Sequence, residues 1–143
     1  MNFEIRKLSE KDYQRVFEIY LECRRSPLFL SKTVETVDDF LKLLEDEKCY
    51  ILECQGVVTG FISVYPPQSF VHHLYIAKEF QGKGFGKALV DFAGNKFDNP
   101  LSLKCERINT EALNFYEKTG WKFFNEGSDF DGSGYILLTL NLD

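Results

Sequence analysis

No run of about 18 apolar residues occurs in the 143-residue chain, so no segment reads as a transmembrane helix. The first residues, Met1-Asn2-Phe3-Glu4-Ile5-Arg6, lack the apolar core that a secretory signal peptide needs. Basic charge is not in excess: 17 Lys and Arg stand against 22 Asp and Glu, a net charge of −5. A surface of that sign repels phosphate backbones, so neither non-specific nucleic-acid binding nor a membrane association is expected. Histidine and cysteine are scarce, with two and four copies. Cys23, Cys49, Cys54 and Cys105 form no CxxC pair, and His72 and His73 are adjacent. That is no zinc framework, and no metal is expected. The cysteines read as reduced, partly buried thiols of a cytoplasmic protein. Repeats, low-complexity tracts and linker-like stretches are also missing, so residues 1–143 read as a single domain.

Aromatic mass, by contrast, is plentiful. Fourteen Phe, seven Tyr and one Trp make up 15% of the chain, enough to build a core without disulfide or metal staples. Phe3-Glu4-Ile5 alternates as a strand should. Ser9-Glu10-Lys11-Asp12 resembles a capping box, and Tyr13, Val16, Phe17 and Tyr20 follow at helical spacing. That helix should end before Pro27. Thr36 to Asp39 offers a second cap, ahead of Val37, Phe40, Leu41 and Leu44. Strands are predicted at Cys49–Leu52, at Val57–Tyr65 after a Gln55-Gly56 turn, and at Val71–Ile76. A helix with Phe85, Ala88, Leu89 and Phe92 on one face precedes a strand at Leu101–Cys105. Asn109 caps a last helix bearing Ala112, Phe115 and Tyr116, which Gly120 terminates. Trp121–Phe124 and Tyr135–Leu142 read as a closing hairpin. The order β-α-α-β-β-β-α-β-α-β-β implies an α/β (α+β) fold, a mixed sheet with helices on both faces.

The sharpest chemical signal is Gln81-Gly82-Lys83-Gly84-Phe85-Gly86-Lys87, between a strand and an amphipathic helix. Glycines let successive backbone N–H groups point into one concavity, and a helix N-terminus adds partial positive charge. Lys83 and Lys87 add formal charge. Together they suit a phosphate or pyrophosphate. A dinucleotide fingerprint needs a third glycine where Lys87 stands. A Walker A loop needs Gly at Gln81 and Ser or Thr at Ala88. Both therefore fail by spacing, and a nucleotide-binding protein is the disfavoured reading. A turn that binds nothing is the plain alternative, but three alternating glycines cost chain entropy unless backbone must be exposed.

This Q-x-x-G-x-G turn, after a strand ending Leu74-Tyr75-Ile76, resembles the acyl-CoA motif of the GNAT superfamily of N-acetyltransferases. Asn109, Ala112, Phe115-Tyr116, Gly120 and Trp121 resemble a second segment of that family, N-x-x-A-x-x-F-Y-x-x-x-G-F, with Trp121 in place of Phe. The resemblance covers nearly the whole chain. It implies a mostly antiparallel sheet of six to seven strands, splayed at its centre into a V-shaped slot. It also implies acetyl-CoA as co-substrate. Backbone N–H groups of Gln81, Gly82, Lys83, Gly84, Phe85, Gly86 and Lys87 would hold its pyrophosphate. Main-chain groups at Leu74, Tyr75 and Ile76 would hold the pantetheine arm, and Asn109 would touch the cofactor. Ala77-Lys78 departs from the family, where a proline often precedes the loop.

The implied reaction is N-acetylation of a primary amine on a small molecule or peptide, by direct transfer in a ternary complex. Tyr116 matches the family's tyrosine and has an ordinary pKa near ~10, so it is the candidate proton donor. It would also border the cofactor. A half-buried core tyrosine is the plainer reading of the same position. The amine must lose a proton, and the fourth strand offers no carboxylate. His72 falls where many relatives carry an acid and is the candidate base. Adjacent strand residues face opposite sides, so His72 and His73 are not expected to share a face. Cys54 or Cys105 as an acyl-carrying nucleophile is the alternative, without a visible activating base. The acceptor pocket is expected between Arg24–Thr33 and Asn125–Gly134, where Glu126, Asp129 and Asp131 form either an acidic flap or a solvated turn. The family also admits a homodimer, and a non-catalytic acyl-CoA-binding module is the runner-up function.

Overall fold

The alternation of Ile136, Leu138 and Leu140 becomes the strand β7 (Gly134–Leu140) in the computed structural model, which describes residues 2–25, 29 and 32–142. Before it come β1 (Phe3–Lys7), α1 (Tyr13–Cys23), α2 (Val37–Leu43), β2 (Lys48–Cys54), β3 (Val57–Tyr65) and β4 (Phe70–Ile76). Then follow α3 (Phe85–Lys96), β5 (Leu101–Glu106), α4 (Thr110–Lys118) and β6 (Lys122–Ser128). The element order matches the sequence reading throughout. The hairpin strand β6 runs on to Ser128, past the predicted end at Phe124. Pro27, expected to bound α1, lies outside the described residues.

Local signals act where they were expected. The Ser9 N–H donates to Asp12 Oδ2 at 3.0 Å, and Asp12 also accepts from Arg6 Nη1 at 2.7 Å. Thr36 Oγ1 accepts from the Asp39 N–H at 3.1 Å and opens α2. Asn109 Oδ1 accepts from the Ala112 N–H at 3.3 Å and opens α4. Gly120, with φ of +98°, follows the end of α4, where left-handed backbone suits glycine.

The seven strands form one sheet in the order β1-β2-β3-β4-β5-β7-β6. Every pairing is antiparallel except β4 with β5. On one face α1 and α2 bury Phe17, Tyr20 and Phe40 against Ile51 and Phe61. On the other, α3 buries Leu89 and Val90 against Leu52, Ile62, Leu101 and Leu103. The sheet is thus covered on both faces, as the sequence implied.

Two irregularities shape its centre. Strands β4 and β5 pair only at Phe70 with Ser102 and at Val71 with Leu103, and beyond Val71 they separate. The expected V-shaped slot is this divergence. The second is a bulge: Ser63 lies opposite His73 but Val64 lies opposite Val71, leaving His72 with no partner on β3. An extra residue resets the alternation of a strand. The expectation that His72 and His73 face opposite sides is therefore corrected. Their rings stack with centroids 4.2 Å apart, and both approach Glu47.

Candidate active site

The parted strands open a cavity of about 970 Å³. One wall is the free edge of β4. The Ala77 N–H donates to the Thr59 carbonyl at 2.8 Å, toward β3. By strand alternation the amide groups of Ile76 and Leu74 turn the opposite way, into the gap. The Ile76 carbonyl takes hydrogen bonds there from Gln81 Nε2 at 2.9 Å and Cys23 Sγ at 3.2 Å. Tyr75 points to the α1 face instead, where its hydroxyl accepts from Arg24 Nη1 at 2.7 Å.

At one end of this edge the glycine turn leads into α3. Gly82 and Gly84 have φ of +80° and +85°, and no atom lies within 4 Å of where a Cβ would stand. The backbone is thus bare as well as left-handed. Gly84 caps α3, whose first N–H groups have no partner inside the helix. Gly86 is different: a Cβ there would meet Phe115 Cζ at 3.1 Å, so it lets α3 and α4 approach. Phe85 is 2% exposed and packs edge-on to Phe3, which leaves only its backbone for a ligand. Lys87 is tied to Asp91 at 2.9 Å, whereas Lys83 is exposed. The turn's positive character therefore comes from its amides and Lys83.

The facing wall carries Asn109, Ala112, Phe115 and Tyr116 of the α4 segment with Cys105 of β5. Asn109 spends its side-chain oxygen capping α4. Tyr116 packs edge-on to the buried Trp121, ring centroids 5.6 Å apart. Burial pushes the Tyr116 hydroxyl well above its ordinary pKa, with Cys105 and Tyr75 adding to the rise. Burial likewise raises the Cys105 thiol to about 11 and the Cys23 thiol to about 12. All four cysteines are free, and Cys54 lies on β2 with its thiol on the Asn2 carbonyl.

His72 stands where β4 leaves β5, and both histidines line the cavity. His72 Nδ1 makes a short hydrogen bond to Glu47 Oε2. His73 is buried, and its Nδ1 shares a hydrogen bond with Ser63 Oγ at 2.8 Å. Desolvation, then the neighbouring His72 and Arg24, holds His73 down at about 3, so it is neutral near pH 7. Sequence reading did not find Glu47. It precedes β2 and stands 25 residues from His72, and no motif marks it.

The far end is bounded by the chain after α1 and by the β6–β7 turn; residues 26–28 and 30–31 lie outside the described residues. Of the two readings of the acids there, an acidic flap or a solvated turn, the ion pairs favour the turn. Asp129 accepts from Lys32 Nζ at 2.9 Å and Lys104 Nζ at 3.0 Å, and these hold its carboxyl down at about 2. Glu126 pairs with Arg107 at 2.9 Å. Lys32 also donates to Glu106 Oε1 at 2.8 Å. Glu106 Oε2 is buried with no hydrogen-bond partner among the described residues, and Glu106 lines the cavity. It too was not singled out in the sequence.

Residues 13–121 match the acetyltransferase (GNAT) family. The chain belongs to this family. Its fold agrees with an N-acetyltransferase from Staphylococcus aureus Mu50, with a TM-score of 0.77, 20% identity and full coverage of both chains, 100% each. It also agrees with yncA from Salmonella typhimurium, solved with its cofactor acetyl-CoA. That TM-score is 0.76 at 19% identity, over 99% of this GNAT chain and 94% of the other. In sequence it is similar to a 5-NmdU N-acetyltransferase of Pseudomonas phage PaMx11, 28% identical over 93 residues. The match spans 62% of this chain and 65% of the phage protein.

Proposed function

We propose that this GNAT protein is an acetyl-CoA-dependent N-acyltransferase of the EC 2.3.1 class, acting as a single cytoplasmic domain on a primary amine of a small molecule or peptide. One observation carries the reading. A bare, left-handed amide cradle and the unpaired edge of β4 open into one cavity, with a protonated tyrosine on the opposite wall. The donor set fits acetyl-CoA: free amides suit a pyrophosphate, and a strand edge suits an amide-bearing arm. Gln81 to Lys87 would hold the first by their backbone, with Lys83 alongside. Leu74 and Ile76 would hold the second, with Asn109 at its border.

When bound, acetyl-CoA supplies an acetyl group activated as a thioester. His72 takes a proton from the acceptor amine, whose ordinary pKa near ~10.4 keeps it charged at neutral pH. The freed nitrogen bonds the acetyl carbon while the Ile76 N–H donates to the carbonyl oxygen. Tyr116 gives its proton to sulfur as the C–S bond breaks, and its phenolate regains one from the newly bonded nitrogen, which leaves the neutral amide and the free thiol. The unpaired Glu106 Oε2 would receive the incoming ammonium. High thiol pKa values at Cys23 and Cys105 favour direct transfer in a ternary complex, since nucleophilic attack requires thiolate.

Thermal unfolding with acetyl-CoA, ATP or NAD tests the co-substrate. At about 100 times Kd, acetyl-CoA should add ~2.7 kcal/mol of stability, and ATP and NAD should add none. Thiol release across a panel of amines then tests turnover. A shift with ATP or NAD alone would reject acetyl-CoA. Binding without thiol release from any amine would point to an acyl-CoA-sensing module.

A further inference from the structure

We infer that Glu47 positions His72 as the base, holding the proton on Nδ1 so that Nε2 is the nitrogen that accepts from the amine. The inference rests on the base reading above and goes beyond it by naming the residue through which His72 acts. Three observations support it. Glu47 is 92% buried as a side chain (8% exposed), yet its Oε1 has no hydrogen-bond partner among the described residues. Its other oxygen is held by His72 Nδ1. And the β4 bulge is what brings His72 to the Glu47 side of the strand.

A buried carboxylate with a single hydrogen bond is costly unless its partner becomes a cation. His73 does not supply that charge: it stands 3.9 Å from Glu47 Oε1, is itself neutral, and its Nδ1 is engaged by Ser63. Among the described residues Glu47 pairs only with the two histidines, and none of the cavity's Arg24, Arg25, Lys32, Lys78 or Lys104 makes an ion pair with it. Arg24 donates to Tyr75, Lys104 to Asp129, and Glu106 accepts from Lys32. His72 is therefore the partner that the buried carboxylate holds and orients. A carboxylate on one ring nitrogen fixes the tautomer and leaves the other nitrogen's lone pair for substrate. Glu47, His72 and His73 also lie close enough to tempt a cation, their donor atoms within 4.8 Å of one another. Ser63 engages His73 Nδ1, so a cation there would have to use the other ring nitrogen of His73, and metal removal is one arm of the test.

The test is the pH profile of kcat/KM for wild type, Glu47→Gln, Glu47→Asp and His72→Ala, with acetyl-CoA affinity as the control for folding. Glu47→Gln should lower kcat/KM about tenfold or more and move the acidic limb to lower pH, because the imidazolium loses its counter-charge. Glu47→Asp should restore part of both, and His72→Ala should lose the limb. Nitrogen-15 NMR of the wild-type protein above the limb should show His72 protonated on Nδ1. If His72→Ala keeps the limb, the base reading fails and this inference with it. If His72→Ala loses the limb while Glu47→Gln matches wild type, only the pairing fails. An Nε2–H tautomer at His72 would also overturn the pairing. So would activity lost on dialysis against EDTA and restored by Zn²⁺, which would make the trio a metal site.

Discussion

His72 and His73 are consecutive residues, yet their rings stack 4.2 Å apart on one strand, where a regular pleat would send them to opposite faces. The bulge opposite Ser63 and Val64 produces this, and it divides the two by environment. His72 is 42% exposed and His73 is 5% exposed, packed edge-on to Tyr20 and tilted against Phe40 and Phe61.

That burial sets a pH dependence. An unfolded His73 titrates near ~6.5, and the folded one at about 3. Between those values the unfolded chain holds the proton and the native chain does not, so stability falls as pH drops below ~6.5. One such proton contributes up to about 1.4 kcal/mol per pH unit. The Asp12 carboxyl, held at about 2 by Arg6, loses its stabilisation only below ~3.8 and so does not account for a decline between pH ~6.5 and ~4.5. Melting temperatures of wild type should decline across that window, and those of His73→Gln should decline less. Parallel curves would show that His73 is not the acid-sensitive group.

Tyr116→Phe keeps the ring against Trp121 and removes only the hydroxyl. Turnover should drop by about 10²–10⁴, with acetyl-CoA affinity nearly unchanged. Steady-state kinetics paired with calorimetric titration separates the two effects. Wild-type kcat in the variant would remove Tyr116 from proton transfer.

Gly84→Ala adds a methyl into open space, so its cost is conformational, not steric. An alanine at φ of +85° is strained by about 1–2 kcal/mol. If the turn keeps its shape, stability falls by that amount. If it relaxes, the cradle distorts and acetyl-CoA affinity falls roughly tenfold or more. One of the two should be seen by thermal unfolding or titration, and neither changing would mean that the backbone there adapts freely.

Gly60→Ala probes the same strand from behind. Its Cβ would lie 2.7 Å from the Tyr75 carbonyl oxygen and closer still to the Ile76 side chain. Strand β4 would have to move away from β3. We expect a loss of about 1–3 kcal/mol of stability, read by denaturant unfolding, and weaker acetyl-CoA binding.

Much of the fold was legible because its signals are local. Ser9, Thr36 and Asn109 start their helical segments through atoms three residues away, and the alternation in β7 needs no distant information. The glycine turn was legible for the same reason. What was hidden depends on pairing across the chain. A bulge adds no unusual residue to β4; it appears only when the register against β3 is known. Glu47 and Glu106 look like ordinary acids until the fold buries them. The acidic turn looked open to a cationic ligand because Lys32, 97 residues before Asp129, is invisible as its partner from sequence spacing alone.

Lys32 joins three parts of the chain: its ammonium touches Glu106 on β5 and Asp129 and Ser133 in the last hairpin turn. Both borders of the acceptor end are thus knotted to one side chain. Substitutions on the two borders should behave as an epistatic unit, with combined effects that do not sum. Exchanging one border for that of a relative would leave an ion unpaired, so a change of acceptor preference would have to arise in both segments together.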